Sequence, residues 1–201
     1  ILSIIFIFLT NNYFGVSNIS NSAASSIYYL EIANSSPFFP SLDNNVQSYI
    51  HAERFIISYL IGLFSFLLNF NQFTVFKFFT YLFVFVFLFT SLKIIKNFNL
   101  NEKSEIFLLY LVIFNPYILR YFIANPIMLN DLCFFVSINL VLISFQNKEN
   151  YYFYLGIILS IISRQTFVII YLALLITFFS FIKQHSFISK KKITIVSVLL
   201  F

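Results

Sequence analysis

The side chains able to do acid–base chemistry are few: across 201 residues the chain has seven carboxylates and two histidines. Glu31, Asp43 and Glu53 share one long polar interval, Asn11 to Arg54, with the run Ser36-Pro37-Phe38-Phe39-Pro40 and the cluster His51-Ala52-Glu53-Arg54. A carboxylate in such a loop serves as a general base when it comes within hydrogen-bond reach of the proton it removes. Glu31, Asp43 and Glu53 are therefore the candidate catalytic residues. His51 and these acids are too loosely spaced to define a metal site.

A second constellation, Ser163-Arg164-Gln165-Thr166, interrupts the apolar stretch Tyr151 to Ile182. A charged side chain at mid-bilayer costs at least about 2.5–3.5 kcal/mol on insertion scales, so such residues face a cavity or a partner. A guanidinium also matches the oxygens of a phosphate group. The plain alternative is an arginine that reaches for the interface from a helical bend. Asp131 begins another apolar run beside Asn130, a short turn after Arg120, and this spacing predicts that Arg120 and Asp131 lie close together. An acid at a helix start also suits the helix dipole. Arg120, Asp131 and Gln165 are the candidate lining residues. Lys77, early in its apolar run, is expected to snorkel.

Several chemistries lack their residues. With three glycines the chain has no Gly-rich phosphate loop, and it has no HExxH helix or recognisable Ser/His/Asp arrangement. Any bound phosphate must be held by side chains and helix ends. Cys133 is the single cysteine, which excludes an internal disulfide or a multi-cysteine metal site within these residues and reads as a small buried apolar side chain.

The elements that must position these groups follow from composition. The chain is 60% hydrophobic and 9% charged, with mean hydropathy +0.91, whereas soluble domains carry roughly a quarter charged residues. It reads as an integral membrane protein. The net charge of +5 does not point to nucleic acid, because the cations stand in short clusters between apolar runs, where they act as topology signals. The 31 phenylalanines, absent tryptophan and abundant Ile, Asn and Lys read as the product of an AT-rich genome and place the protein in a bacterial inner (plasma) membrane. Ile1 in place of Met, and the apolar end Leu199-Leu200-Phe201, read as the limits of a fragment.

The expected fold class is all-α: a polytopic transmembrane helix bundle forming a single domain over 1–201, with one long extracytoplasmic loop after the first helix. Residues 1–14 form the first span, 15–54 the outer loop, and 55–201 further membrane helices. A span needs about 20 apolar residues. Phe55 to Leu68 falls short of that and is closed by Asn69-Phe70-Asn71-Gln72, whereas Phe73 to Ser91 reaches it. Lysines concentrate in Lys93 to Glu105, Gln146 to Asn150 and Lys183 to Lys192, which places those loops in the cytoplasm. An odd number of crossings must then separate Arg54 from Lys93. The preferred arrangement has Phe55 to Leu68 lying at, or dipping into, the outer face, followed by one true crossing; the competing one has two crossings with Lys93 and Lys96 outside. Ile106 to Leu119 and Ile127 to Phe145 form an up-and-down pair around the turn Arg120 to Pro126. Tyr151 to Ile182 has the length of two short helices, bent at Ser163 to Thr166.

Three stretches, Tyr28-Tyr29-Leu30-Glu31-Ile32-Ala33, His51-Ala52-Glu53-Arg54-Phe55-Ile56-Ile57, and Gly156 to Ile170 with its Ser163-Arg164-Gln165-Thr166, resemble in that order the N-terminal half of GT-C superfamily glycosyltransferases. The resemblance covers roughly residues 1–182 and rests on degenerate motifs. It implies transfer of a sugar from a polyprenyl-phosphate carrier to an acceptor on the extracytoplasmic face, with membrane lipids as surroundings and a lipid-linked sugar as partner. It further implies an acidic residue of the first outer loop acting as base or as ligand to a divalent metal. Arg54 or Arg164 would stabilise the departing lipid phosphate through charge-assisted hydrogen bonds. The pattern is departed from four residues before Tyr29, where the family's loop aspartate would stand and this chain has Ser25. Either Glu31, Asp43 or Glu53 takes that role, or the chain has no transferase activity. Two other classes stay open: a transporter or flippase-like protein with Arg164, Arg120 and Asp131 along a pathway, and a polysaccharide-polymerase-like subunit without transferase activity.

Overall fold

The computed structural model describes residues 25–38, 54–114, 121–147 and 149–164. Every regular element among them is helical: α1 (Ser25–Ser35), α2 (Phe55–Leu68), α3 (Gln72–Lys96), α4 (Glu102–Phe114), the short α5 (Tyr121–Ala124), a 3-10 turn (Pro126–Met128), α6 (Leu129–Asn147) and α7 (Asn150–Ser163). Two helical stretches, Gln72–Lys96 and Pro126–Asn147, are long and apolar enough to cross a membrane. The first span expected at 1–14, the helix after Gln165 and the one begun at Ile193 lie outside the described residues.

Local chemistry sets the helix ends. Asn69 takes a left-handed backbone (φ 54°, ψ 37°) that asparagine tolerates, and the Phe70 N–H donates to the Ser65 carbonyl at 3.1 Å, closing α2. Two residues later Asn71 is extended, and its side chain accepts from the Phe73 N–H at 2.8 Å, starting α3. Lys93 and Lys96 complement the negative end of α3. Asn101 accepts from the Ser104 N–H at 2.8 Å to start α4, with Glu102 and Glu105 in its first turn. The lysine-bearing loop expected over Lys93 to Glu105 thus contracts to residues 97–101, because its charged residues are helix-end residues.

α6 is central and α3 peripheral: 72% of the α6 stretch is buried against 28% of α3. α3 turns Phe76, Thr80, Val84, Phe87 and Ser91 inward and leaves Phe78, Leu82, Phe85 and Phe89 exposed. In water such a face would be costly, but between hydrocarbon chains it costs nothing, and helix association there rests on close packing and polar contacts. Asn139 supplies one such contact, donating to Thr90 Oγ1 at 3.1 Å and Ser91 Oγ at 2.9 Å. Lys77 is exposed with its ammonium 4.6 Å from the Phe73 ring centroid, folded back one helical turn.

Small residues set two close helix approaches. A β-carbon on Gly156 would stand 2.7 Å from Val141 Cγ2 and 2.9 Å from the Ser137 carbonyl oxygen, so α7 rests directly on α6. Along this seam Ser137, Ser144 and Ser160 donate to carbonyls of their own helices, which leaves no hydroxyl stranded. A β-carbon on Gly62 would stand 2.1 Å from the Ala33 carbonyl oxygen, which brings α1 onto α2. Tyr59 Oη also donates to the Pro37 carbonyl at 2.6 Å. Gly62→Ala is accordingly expected to destabilise the protein by about 1–3 kcal/mol, the usual cost of overpacking. The thermal midpoint of detergent-purified protein checks this against exposed Leu60→Ala; equal midpoints would refute the seating of α1.

The hairpin of α2 and α3 has a directional consequence. Asn97 Nδ2 donates to Gln146 Oε1 (3.0 Å) and Asn147 Oδ1 (2.8 Å), so the end of α3 lies beside the end of α6. Thr80 Oγ1 donates to the Pro126 carbonyl at 3.1 Å, so the start of α3 projects past the beginning of α6. Arg54, at the start of α2, also meets the beginning of α6 through Asn130. α2 therefore starts level with the beginning of α6 and leads to the projecting start of α3.

Candidate functional site

The segment Tyr121–Met128 is more than a turn. Asn125 precedes Pro126 at the first position of the 3-10 turn, and Phe122, Ile123, Ile127 and Met128 are buried, so an apolar plug delivers Asn130 and Asp131 into the first turn of α6. Neither residue faces outward: Asn130 is 1% exposed and Asp131 8%. Asn130 Nδ2 donates to the Arg54 carbonyl at 3.1 Å, tying the start of α2 to the start of α6.

Asp131 faces Arg164. Their Oδ1 and Nε atoms are 2.9 Å apart, and the side chains are 11% and 32% exposed. The contact between these two atoms is a charge pairing off the line of a directed hydrogen bond. α7 creates the position: it stops at buried Ser163, and Arg164 leaves it extended (φ −155°, ψ 136°), its N–H donating to the Ser160 carbonyl at 3.1 Å. A cation just past a helix C-terminus also meets the favourable end of the dipole.

Tyr121 and Tyr29 complete the surroundings. The Tyr121 hydroxyl, outside the two membrane-length helices, is pushed above its ordinary pKa, first by burial, then by the Asp131 charge, with Arg164 opposing and Tyr29 adding slightly. It is consequently a neutral hydrogen-bonding group at neutral pH. Three buried polar atoms at the same end have no hydrogen-bond partner among the described residues: Arg54 Nε, Ser58 Oγ and Asn130 Oδ1.

Of the residues singled out from sequence, Arg54, Asp131 and Arg164 come to the start of α6, Arg54 through its backbone carbonyl on Asn130 and Arg164 through its side chain on Asp131. Asp131 finds its partner in Arg164; Arg120, the partner expected from spacing, lies outside the described residues. Glu31 is on the exposed face of α1, while Tyr29, Ile32 and Ala33 are buried. Asp43, Glu53, His51 and Gln165 also lie outside the described residues. Glu53, Arg120 and Gln165 are nonetheless covalently next to Arg54, Tyr121 and Arg164. Sequence reasoning passed over Ser58, Asn130 as a tether, and Tyr121; a serine one turn after Arg54 and an amide beside Asp131 were the available signals.

The described residues do not fit a divalent cation. Hard cations take several oxygen ligands, whereas the only carboxylate among the described residues of this cluster is Asp131, already engaged by a guanidinium. The arrangement can instead hold an anion, because Arg164 is held in place by charge yet partly exposed. Cys133 is buried within α6, as its sequence setting implies.

The far end of the bundle is different in kind. There Lys93 Nζ donates to Tyr152 Oη at 2.9 Å and lies 4.3 Å from that ring's centroid, next to the Asn97, Gln146 and Asn147 amides. Comparison with protein-family models, curated proteins and solved structures found no match to this chain.

Proposed function

We propose that the chain is a polytopic protein of a bacterial inner membrane whose arginine-bearing end binds the phosphate of a lipid carrier and supports transfer of a sugar from a polyprenyl phosphate to an acceptor outside the cell. The observation that supports the reading is the seating of the Arg164 side chain on Asp131, next to the Asn130 that holds the Arg54 backbone carbonyl, which brings both arginines to the start of α6. Two guanidinium groups at one end of an apolar bundle suit a phosphate attached to a hydrocarbon tail, which reaches the site from the lipid while its charge meets donors. Charge-assisted donors would stabilise that phosphate as the glycosidic bond breaks. Asp131, held by Arg164, is a poor base and acts by positioning; the proton from the acceptor falls to Glu53, Asp43 or Glu31.

The test is direct: radiolabelled polyprenyl-phosphate sugar supplied to purified protein in lipid, with transfer to acceptor followed. Transfer supports the reading, and its absence with every lipid-linked sugar tried removes it. The transporter reading draws on the Asp131–Arg164 pair in the helix bundle, because intramembrane ion pairs also mark translocation pathways. Uptake into proteoliposomes without transfer would favour it.

Placement in the membrane makes its own prediction. If α2 begins and ends at the outer face, the loop 11–54 is outside, and Lys93 to Glu105, Gln146 to Asn150 and Lys183 to Lys192 are cytoplasmic. Single cysteines at Asn45, Asn99 and Gln184 in a Cys133→Ala background are expected to react with an impermeant thiol reagent from outside only at Asn45. Outside labelling at Asn99 would mean that α2 and α3 both cross.

A further inference from the structure

We propose that Arg54, Ser58 and Asn130 form a buried subsite for an uncharged, hydroxyl-bearing ligand group, such as one hydroxyl of a sugar ring. The three stand within one helical turn of each other's elements. Asn130 Nδ2 is engaged by the Arg54 carbonyl at 3.1 Å, which holds the amide against the opening turn of α2, and Ser58 is one turn along that helix from Arg54. Asn130 is 1% exposed and Ser58 is fully buried, yet Asn130 Oδ1, Ser58 Oγ and Arg54 Nε lack a hydrogen-bond partner among the described residues. Buried polar atoms in folded proteins are nearly always paired, and a cluster left open asks for a ligand.

The inventory of donors and acceptors selects the ligand's chemistry. The Arg54 Nε–H only donates, the Asn130 carbonyl oxygen only accepts, and the Ser58 hydroxyl does both. A phosphate brings acceptors alone and would set its oxygens against Asn130 Oδ1. A cation would be repelled by the guanidinium. A hydroxyl fits all three, donating to Asn130 Oδ1 while accepting from Arg54 Nε and Ser58 Oγ. Only the Nε–H of Arg54 belongs to this corner; its terminal nitrogens and Arg164 stay with the anion of the proposed function. A water molecule has the same hydrogen-bonding capacity, and the experiment separates the two.

The inference rests on the transfer reading for why a sugar would arrive at this end, but its test uses no phosphate and no transfer. Purified protein is equilibrated with monoglucosyl diacylglycerol or with the same diacylglycerol lacking the sugar, and retained lipid is quantified by native mass spectrometry. The glucosyl lipid is expected to be retained about fivefold more, the worth of one or two net hydrogen bonds. Ser58→Ala and Asn130→Ala are expected to reduce retention to the level of the sugar-free lipid, whereas the exposed Leu60→Ala leaves it unchanged. Ser58→Ala is also expected to raise the thermal midpoint of the ligand-free protein, since it removes an unpartnered buried hydroxyl. Equal retention of the two lipids by the parent would overturn the proposal. So would a Ser58→Ala variant that melts lower with retention unaltered, the mark of a structural water. Failure of sugar transfer from a polyprenyl phosphate leaves these outcomes readable.

Discussion

Arg164→Leu is expected to lower phosphate-dependent transfer by about 10²–10³-fold or more, the scale on which removing one charge-stabilising donor acts in an active site. The same substitution strands Asp131 in a site where it is 8% exposed. Removing one member of a fully buried pair costs about 3–5 kcal/mol; Arg164's side chain is 32% exposed, so solvent screening reduces the expected loss to about 1–3 kcal/mol. Loss of activity in the single variant therefore mixes two effects, and the double variant Arg164→Leu/Asp131→Leu separates them. Replacing both charges by apolar groups removes the stranded carboxylate, so the thermal midpoint is expected to recover. Transfer is not. Arg164→Lys keeps the charge but loses the planar fork, and is expected to fall between parent and leucine variant. Parent-like turnover in Arg164→Leu would show that the arginine only reaches for the interface.

What the sequence made legible follows from which signals are local. Length and apolarity marked Gln72–Lys96, and Asn69 to Gln72 marked its start, because a left-handed asparagine and an N-capping asparagine act within a few residues. The break at Ser163 was visible for the same reason: a polar quartet inside an apolar stretch ends a helix. Helix ends near Lys93 and Glu105 were less legible, since charged residues there serve equally as loop and as last or first turn. The pairing of Asp131 with Arg164 was not legible. Proximity in sequence pointed to Arg120, which lies outside the described residues, and the structure joins Asp131 to a residue from the end of a different helix, which depends on α7 lying back along α6 over Gly156. Ser58 and Tyr121 were silent because their significance is burial without, or beside, charge, and an isolated serine or tyrosine in an apolar run carries no such mark.

Loss of the general base should be the other large effect, and the geometry changes how its candidates are weighed. In the proposed transfer reaction the base must reach an acceptor hydroxyl while a phosphate lies near Arg164. Glu31 is on the exposed face of α1, turned from the face that buries Tyr29, Ile32 and Ala33. Successive residues of a helix are rotated by about 100°, so Glu31 cannot share Tyr29's direction while α1 is seated on α2. Glu53 is covalently next to Arg54, whose carbonyl is tied to Asn130. Asp43 follows the Pro37 to Pro40 run and is separated from Arg54 by enough chain to approach from above. Asp43→Asn is therefore expected to cost about 10²–10⁴ in turnover, Glu53→Gln less than Asp43→Asn, and Glu31→Gln least, each compared at equal membrane abundance. A rise of activity with pH that disappears in Asp43→Asn would identify a base, whereas a uniform drop across pH would mark a positioning role. Normal turnover in all three variants would move the base elsewhere in the protein and remove the transfer mechanism in the form proposed, while leaving the pairing of Arg164 with Asp131 to be read by the double variant.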